Sequence, residues 1–442
     1  MKPTIPKGTR DFTPEQIGKR NYIFDTIKSV FVKYGFQPIE TPTMEKLSTL
    51  TGKYGDEGDQ LLYKVLNSGD FLRKADDLND YKKLSFQIAE KGLRYDLTVP
   101  FARYVVMHQN EIAFPFKRYQ IQPVWRADRP QKGRYREFYQ CDVDIIGSDS
   151  LMFEAELIKI YDEVFYKLGI DVTIKINNRK ILEGIAEAAG ISDKMIEMTV
   201  AIDKLDKIGI DGVRKEMIER GISEESIEII EKVLKTRTIQ DLKPFFVNSD
   251  IGQRGINELE EVYEYLQFSD QQNKIVFDVT LARGLSYYTG CIFEVKANDA
   301  QIGSIGGGGR YDDLTGMFGL NDVSGVGVSF GAERIYDVME ELNLFPQDNN
   351  TGLKLLFTTF DKQSFMFAYK VLIQVRQAGI NAELYPEPVK MKKQMKYANA
   401  RNVPYVALIG SHELENSVVT IKDMNSGNQN TLSIRELITR LS

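Results

Sequence analysis

The stretch that most constrains the fold runs from Pro115 to Gly147 and has the pattern of a long β-hairpin. Its first limb, to Arg126, is rich in aromatic and β-branched residues, and its second limb, from Arg136 to Ile146, alternates apolar and polar residues. This alternation places two sets of side chains on opposite strand faces: Tyr139, Cys141, Val143 and Ile145 on one, and Phe138, Gln140, Asp142 and Asp144 on the other. The polar face is typical of either a solvated edge strand or the floor of a binding site.

The segment that joins the two limbs, called the hairpin tip below, is strongly basic. It contains Arg126, Arg129, Lys132, Arg134 and Arg136, with Asp128 as the single acid among them. Like charges at this density repel one another unless an anion binds between them. The basic tip and the polar floor together predict a site for a nucleotide phosphate or a nucleic acid.

Composition limits the class of protein. The 442 residues suffice for about two to four domains, and 42% hydrophobic with 27% charged residues is typical of a soluble globular chain. No apolar run approaches the roughly 18 residues that span a bilayer, and the N-terminal residues lack a signal-peptide core, so we expect a cytoplasmic protein without membrane contact. The two cysteines and two histidines argue against a disulfide framework, a structural zinc site and a Ser–His–Asp mechanism.

The first part of the chain predicts strands and helices around this hairpin. Lys7 to Phe12 is expected to be a strand or arm, and an amphipathic helix follows from about Pro14 to Tyr34. A segment with two prolines, 35–50, is expected at a sheet edge, a boundary or an interface. Residues Leu93 to Thr98 are expected to form a short strand with Asp96 and Thr98 on the same side.

Changes in pattern predict the domain organisation. Between Arg179 and Gln272 there are 13 Lys and Arg against 20 Asp and Glu, and the polar, amphipathic helices there predict an insertion at 179–270 that divides a first domain into 1–178 and 271–341. After a linker, 342–352, alternating strands and helices predict an α/β domain at 353–442. That end is basic, with 12 Lys and Arg against 7 Asp and Glu from Thr351 onward. Four lysines lie on one predicted helix, which forms either a nucleic-acid surface or a solvated face: Lys390, Lys392, Lys393 and Lys396.

The glycine-rich segments do not match the known phosphate-binding loops. Four consecutive glycines in 303–314 predict very close backbone approach to a ligand or another strand. The segment GVGVSFG places its third glycine one position late for a dinucleotide-binding loop, and GxxxxGK[ST] does not occur. Any nucleotide bound here would therefore be held by arginines.

Five segments in the same order resemble the histidyl-tRNA synthetase family over essentially the whole chain. GFQPIETPTME, WRADRPQKGRYREFYQCDVDIIG and GVSFGAER are similar to the three class II motifs, and LARGLSYYTGCIFE and GSIGGGGRYDDL are similar to segments that mark the histidine enzymes. The resemblance implies an α+β catalytic domain with a six-stranded antiparallel sheet flanked by helices. It also implies a helical insertion, a C-terminal α/β anticodon-binding domain and a homodimer built partly on the segment around Pro42, called the Pro42 segment below.

The resemblance further implies roles for individual residues. Two arginines, Arg126 and Arg283, would be catalytic by neutralising the α-phosphate while L-histidine attacks ATP, with Mg²⁺ accompanying ATP at unassigned residues. Histidine binding would involve Asp96, Thr98, Arg126, Gln140, Asp144, Arg283, Tyr287 and Tyr288. ATP binding would involve Arg126, Asp128, Phe138 and Arg334. Contacts with histidine tRNA would come from Gln131, Arg134 and Lys392.

The chain departs from the family pattern at a few positions, and two other hypotheses compete. Ser286 stands where the family usually has Asp, and Trp125 replaces the usual Phe or Tyr. Gly306 and Gly307 stand where the family often has alanine or another small side chain in at least one place. One alternative is the synthetase-like regulatory subunit of ATP phosphoribosyltransferase, which typically lacks the C-terminal domain. The other is a module that senses uncharged tRNA. We expect a synthetase, because the C-terminal domain and the ATP-handling arginines are present.

Overall fold

A hairpin of two long strands lies within the main sheet of the protein, as the sequence predicts. The computed structural model describes residues 2–51, 59–73, 75–76, 78–282, 287–346 and 352–442. These form two units, one ending at Phe345 and one beginning at Pro346. The strands of the first unit are Gln37–Pro38 (β1), Met44–Lys46 (β2), Lys64–Val65 (β3), Lys91–Leu93 (β4), Phe116–Trp125 (β5), Glu137–Ile146 (β6), Val172–Asn178 (β7), Lys274–Phe277 (β8), Cys291–Ala297 (β9), Gly306–Tyr311 (β10) and Gly325–Gly331 (β11).

The main sheet contains eight strands in the order β1-β5-β6-β11-β10-β9-β7-β8, and β2-β4-β3 form a separate small sheet. The six central strands are antiparallel throughout, as the family resemblance implies. The two edge strands, β1 and β8, pair in parallel, so the whole sheet is mixed. Strand β1 ends at Pro38, whose missing N–H is tolerated at an edge.

Several helices cover the apolar face of this sheet, and others pack elsewhere in the first unit. In the first unit they are Pro14–Lys33 (α1), Leu47–Leu50 (α2), Tyr81–Ile88 (α3), Thr98–His108 (α4), Met152–Leu168 (α5), Arg179–Ala188 (α6), Met195–Ile202 (α7), Leu205–Glu219 (α8), Glu224–Leu234 (α9), Asp250–Leu266 (α10) and Ala332–Glu341 (α11). The apolar side chains of β6 pack in the main core with α1, α5 and α11. The predicted alternation of the second limb is therefore confirmed, and the opposite face of β6 is left to polar side chains.

The predicted strand from Leu93 to Thr98 is wrong. Strand β4 ends at Leu93, and Thr98 is already the first residue of α4. The Asp96 carboxylate accepts a hydrogen bond from the Val99 N–H (3.1 Å), which turns the chain into the helix. Asp96 therefore lies in the turn between the strand and the helix and is buried, while Thr98 begins the helix and is half-buried.

The second unit is an α/β layer with its own core. Its strands are Leu355–Thr359 (β12), Ala382–Leu384 (β13), Tyr405–Ile409 (β14), Val418–Asp423 (β15) and Gln429–Ser433 (β16), in the order β13-β12-β14-β15-β16. Its helices are Lys362–Gln377 (α12), Met391–Ala400 (α13), Ser411–Asn416 (α14) and Ile434–Leu441 (α15). The sequence pattern missed β16 and α14, since β16 has a largely exposed, polar sequence and α14 spans less than two turns.

The predicted domain boundaries at 178, 270, 341 and 352 stay predictions. Within the part of the chain that the structure describes, no helix is long and apolar enough to cross a membrane.

A buried ion pair fixes α5 to β10. The Arg310 guanidinium donates from Nε to Glu154 Oε1 (2.5 Å) and from Nη2 to Glu154 Oε2 (2.6 Å), and both side chains are almost fully buried. Removing one partner of such a pair leaves the other charge buried and unpaired, which typically costs about 3–5 kcal/mol.

We therefore expect Glu154→Ala to lower the free energy of unfolding by about 3–5 kcal/mol. The measurement is urea-induced unfolding followed by circular dichroism. A matched control is Lys33→Ala, which removes the more exposed Lys33–Glu163 pair (2.9 Å) and should cost less than about 1 kcal/mol. Equal losses in the two variants would contradict the assignment of Arg310–Glu154 as a structural pair.

Candidate active site

The polar face of the sheet brings side chains from three adjacent strands into rows. The register pairs Arg118 with Asp144, Gln120 with Asp142, and Gln122 with Gln140 across β5 and β6. On the other side of β6, the same three residues of that strand face Gly327, Ser329 and Gly331 of β11. Most of these polar side chains are buried, so the face is the floor of a site and not a solvated edge.

Asp144 is held by two buried partners. Its Oδ2 lies 2.7 Å from Arg118 Nη2, and its Oδ1 accepts a hydrogen bond from the Tyr311 hydroxyl (2.7 Å). A Cβ on Gly327 would lie only 1.9 Å from Asp144 Oδ1, so glycine makes room for this carboxylate. Burial raises the pKa of Asp144, while Arg118 and the Tyr311 hydrogen bond act in the opposite direction.

Glycines on β10 form an open floor beside Asp144. The Tyr288 ring packs onto Gly309, where a Cβ would lie 2.9 Å from Tyr288 Cδ1. Above Gly307 a Cβ would meet only the Phe293 carbonyl oxygen, at 3.4 Å, so space remains there. Gly306 points to the opposite face, where its Cβ would lie 2.7 Å from the buried Tyr161 ring. The glycine run therefore allows close strand packing on one face and leaves open space on the face of the candidate site.

Gln140 carries a buried acceptor without a protein partner. Its Nε2 donates to Ser329 Oγ (3.0 Å), while its Oε1 is buried and accepts no hydrogen bond among the described residues. Such an oxygen is costly unless a ligand or water supplies a donor. Gln140 is therefore suited to accept from a ligand ammonium or N–H group.

The paired tyrosines close one side of the site. The rings of Tyr287 and Tyr288 lie 5.0 Å apart in an edge-to-face arrangement, and Tyr287 lies 6.1 Å from the Tyr311 ring. Burial and the neighbouring carboxylates of Asp144 and Asp142 raise the pKa of Tyr288, so its hydroxyl stays protonated and can donate.

Arg126 lies at the far end of the polar face of β6. Its Nε donates to the Tyr95 carbonyl oxygen (3.1 Å), and its guanidinium lies 4.2 Å from the Tyr95 ring centroid. The Phe138 ring lies 5.2 Å from the same guanidinium. The half-buried Asp128 follows Arg126 closely in the chain, and its carbonyl oxygen accepts from Arg136 Nε (3.2 Å).

The hairpin tip rests on α11. Arg334 donates from Nε to the Gly133 carbonyl oxygen (2.8 Å) and from Nη1 to that of Ser304 (2.6 Å). Lys132 pairs with Glu341 of α11 (2.8 Å). Part of the positive charge of the tip is therefore matched by protein acids, which the sequence argument for a bound anion did not include. Gln131 and Arg134, the predicted tRNA contacts of the tip, are exposed.

Some predicted residues cannot be placed in this site. Arg283 and Ser286 lie outside the described residues. Lys392 belongs to the second unit, where it is exposed on α13 with Lys393 and Lys396, while Gln394 of the same helix is buried.

Sequence reasoning missed Arg118, Tyr311 and Ser329. All three contact predicted site residues. Arg118 and Ser329 lie on the two strands that pair with β6, and Tyr311 lies on β10, the next strand beyond β11. The register of the hairpin would have paired Arg118 with Asp144, but a tip of eleven residues leaves that register open from sequence alone.

Comparisons with known proteins agree with this architecture. A family model described as histidyl-tRNA synthetase matches residues 8–335, and one described as anticodon binding domain matches residues 349–442. A histidine–tRNA ligase of Bacteroides fragilis (strain YCH46) is 57% identical over 450 aligned positions, covering 100% of this chain and 99% of the relative. The crystal structure of histidyl-tRNA synthetase from Nostoc sp. PCC 7120 has a TM-score of 0.83 and 30% identity, with 99% of each chain covered.

A further solved structure is that of an ATP phosphoribosyltransferase regulatory subunit/histidyl-tRNA synthetase from Bacillus halodurans. It has a TM-score of 0.74 at 20% identity, covering 93% of this chain and 99% of its own. At that identity the likeness concerns the fold alone. The fold, with its antiparallel central strands and arginine-bearing hairpin, is that of the class II aminoacyl-tRNA synthetases. The match over 8–335 and the 57% identity show that the chain belongs to the histidyl-tRNA synthetase family.

One buried acid in the site gives a prediction for pH dependence. Burial raises the pKa of Asp142 from 3.8 to about 7, opposed by Arg118 and reinforced by Asp144. The unfolded chain releases this proton near its ordinary pKa, so the folded protein binds more protons between the two values. Its stability therefore decreases as pH rises through that window.

We expect Asp142→Asn to match the wild type near pH 4 and to exceed its free energy of unfolding at pH 8, by an amount on the order of 3 kcal/mol. Asparagine keeps the shape and the contacts with Gln140 and Ser329 but cannot ionise. Urea unfolding at several pH values measures the difference. If the two proteins differ in free energy of unfolding by the same amount at every pH, Asp142 is not a buried carboxylate that titrates in this range.

Proposed function

We propose that the protein activates L-histidine with ATP to histidyl-adenylate and pyrophosphate, and then transfers histidine to the 3′ end of histidine tRNA. One observation carries the proposal. Along about 20 Å of one face of β6 lie the Phe138 ring beside Arg126, then Gln140 with its unpartnered oxygen, then the buried Asp144. Along the strand, the Phe138 ring thus offers a stacking surface for a base, Arg126 a cation for a phosphate, and Gln140 and Asp144 polar groups for an amino acid.

The amino-acid end fits histidine because the neutral imidazole has one N–H donor and one bare nitrogen acceptor. In the proposal, Asp144 accepts from the ring and the Tyr288 hydroxyl donates on the other side. The α-ammonium group binds to Asp96 and Thr98, with Gln140 and Tyr287 completing the pocket. A buried pair of this kind rejects apolar analogues, which would leave both groups unpaired.

The activation step needs alignment and charge neutralisation more than proton transfer. The histidine carboxylate is already ionised at neutral pH, so it attacks the α-phosphate without a general base. Arg126 would neutralise the developing charge on the phosphoryl oxygens from one side and Arg283 from the other. Mg²⁺ enters with ATP as the substrate complex. No group of three His, Cys, Asp or Glu side chains that could hold a resident metal occurs among the residues with described positions.

The remaining contacts follow from the same arrangement. Phe138 and Arg334 would enclose the adenine ring by stacking and cation–π contact, with Asp128 facing its amino group. Gln131 and Arg134 would contact the acceptor end of the tRNA. Lys392 would contact its phosphates through the basic face of α13. We further propose a homodimer built partly on the Pro42 segment, working in the cytoplasm.

The regulatory alternative is less well supported. The chain carries the C-terminal domain that such subunits typically lack, at residues 349–442. It also retains Arg126 and Arg334, which a protein that does not handle ATP would not need.

Pyrophosphate exchange into ATP, with each amino acid in turn, tests the proposal. We expect exchange with histidine alone, and a loss of at least about 100-fold in Arg126→Ala and in Arg283→Ala because each removes charge neutralisation at the α-phosphate. Arg129→Ala is the matched control on the exposed part of the same tip and should retain exchange. Folded protein that shows no exchange with any amino acid would favour the regulatory alternative.

The open floor above Gly307 gives a second prediction, on selectivity. Gly307→Ala should fold normally and keep its KM for histidine within about threefold, because its methyl group meets only one backbone oxygen. The substrate for this test is the ring-methylated histidine that the wild type activates best. Gly307→Ala should lower kcat/KM for it about tenfold, since losing the space for one methyl group weakens binding by about 1–3 kcal/mol.

The matched variant Gly306→Ala directs its methyl group into the buried Tyr161 ring. It should therefore lower the melting temperature without a change in selectivity. If Gly307→Ala leaves the ratio of histidine to methylhistidine unchanged, this space is not part of the imidazole pocket.

A further inference from the structure

The N-terminal arm, residues 7–12, lies against the end of the hairpin tip at Arg136. The Arg136 N–H donates to the Gly8 carbonyl oxygen (2.9 Å), and Arg136 Nη1 donates to that of Lys7 (3.3 Å). Gly8 has a φ of +89°, and a Cβ there would lie 2.8 Å from Arg136 Cγ. Glycine therefore allows the arm to lie directly on the tip.

Arg10 joins the arm to two other segments. Its Nη2 donates to Glu333 Oε2 (2.5 Å) in the first turn of α11. Its guanidinium also lies 3.4 Å from the centroid of the Tyr135 ring in the tip. A planar guanidinium can make both contacts at once, which the ammonium group of lysine cannot.

Glu333 links Arg10 to the candidate adenine site. This carboxylate is 3% exposed and directly precedes Arg334. Arg334 in turn donates to the Gly133 carbonyl oxygen, back in the tip (2.8 Å). The tip and the first turn of α11 are thus connected twice, through Arg334 and through Arg10.

A second contact supports this connection. The Tyr135 hydroxyl donates to Asp337 Oδ2 (3.1 Å), one turn further along α11. Arg10 therefore covers the face of a ring whose hydroxyl is already tied to the same helix, and together they leave Tyr135 little freedom.

We propose that Arg10 is a positioning residue that holds the hairpin tip against the first turn of α11, in the arrangement that binds ATP. The inference rests on the proposed function in taking Arg126, Phe138 and Arg334 as the ATP site. Arg10 acts through Tyr135 and Glu333 and does not touch the substrate. Its loss removes the guanidinium link between Tyr135 of the tip and Glu333 of α11, while α11 stays in place because Glu333 keeps its other side-chain partner.

That other partner, Arg20, provides a matched control. Arg20 Nη1 binds the same Glu333 Oε2 (2.5 Å) but lies over the Phe12 ring (4.1 Å) and comes from α1. It is 5% exposed. A change at Arg20 therefore disturbs the same carboxylate from the core side, without the stacking contact on Tyr135.

The experiment measures ATP binding by equilibrium dialysis of the full chain, together with KM for ATP, KM for histidine and the melting temperature. We expect Arg10→Gln to weaken ATP binding and raise KM for ATP about tenfold, with KM for histidine within twofold and the melting temperature nearly unchanged. Arg10→Lys should restore little, because lysine lacks the planar fork. Arg20→Lys should lower the melting temperature while ATP affinity stays at the wild-type value.

Tyr135 supplies a further test. If Arg10 acts through this ring, Arg10→Gln combined with Tyr135→Leu should weaken ATP binding no more than the stronger single variant. Fully additive losses would overturn the proposal. So would wild-type ATP affinity in Arg10→Gln, or a parallel decline of ATP affinity, histidine KM and melting temperature in both the Arg10 and Arg20 variants.

These readouts separate this proposal from the proposed function. Wild-type protein that binds ATP in dialysis but exchanges no pyrophosphate would refute the synthetase reaction, while the Arg10 comparison would still decide the positioning role. Wild-type protein that binds no ATP would overturn both.

Discussion

The buried pair of Arg118 and Asp144 is the interaction on which the polar face of the sheet depends. A carboxylate in the middle of a sheet face is unfavourable unless a cation and hydrogen-bond donors compensate for its lost hydration. Arg118 supplies the charge from the opposite residue of β5, and Tyr311 supplies a hydroxyl from β10. With both in place, Asp144 is fixed in position, as the proposed selection of a ring by its hydrogen bonds requires.

Glycine makes this arrangement possible, and it does so at specific positions. Gly327 leaves room for the Asp144 carboxylate and Gly309 for the Tyr288 ring, so two side chains of the candidate site lie close against the backbone of neighbouring strands. Gly308 precedes Gly309 but faces the other side, where a Cβ would lie 2.2 Å from the Gly327 carbonyl oxygen. The same short run therefore allows close packing on one face and leaves open space on the face of the candidate site.

Local patterns predicted much of this, and long-range geometry accounts for what they missed. The alternation of β6 was enough to identify the polar face, since a period of two fixes which side chains share a side. The partners of that face, Arg118 and Ser329, depended on strand register and order, which short-range patterns leave undetermined. The residues around Asp96 predict a strand, but its carboxylate instead accepts a hydrogen bond from the Val99 N–H at the start of α4. The positive charge of the tip is visible in the sequence, while Glu341 of α11, which pairs with Lys132, comes from about 200 residues further along the chain.

A second buried arginine connects the site to the segment proposed as a subunit interface. Arg94 is fully buried, and its guanidinium donates to the Thr41 carbonyl oxygen (2.7 Å) and the Pro123 carbonyl oxygen (2.9 Å). Burial lowers its pKa to about 10, yet at neutral pH it remains charged and held by carbonyl dipoles. The next residue, Tyr95, supports Arg126 through its carbonyl oxygen and its ring. A displacement of the Pro42 segment would therefore reach Arg126 through two consecutive residues, Arg94 and Tyr95. The proposed dimer, if built on that segment, would thus also stabilise the end of the site that we propose for the phosphate.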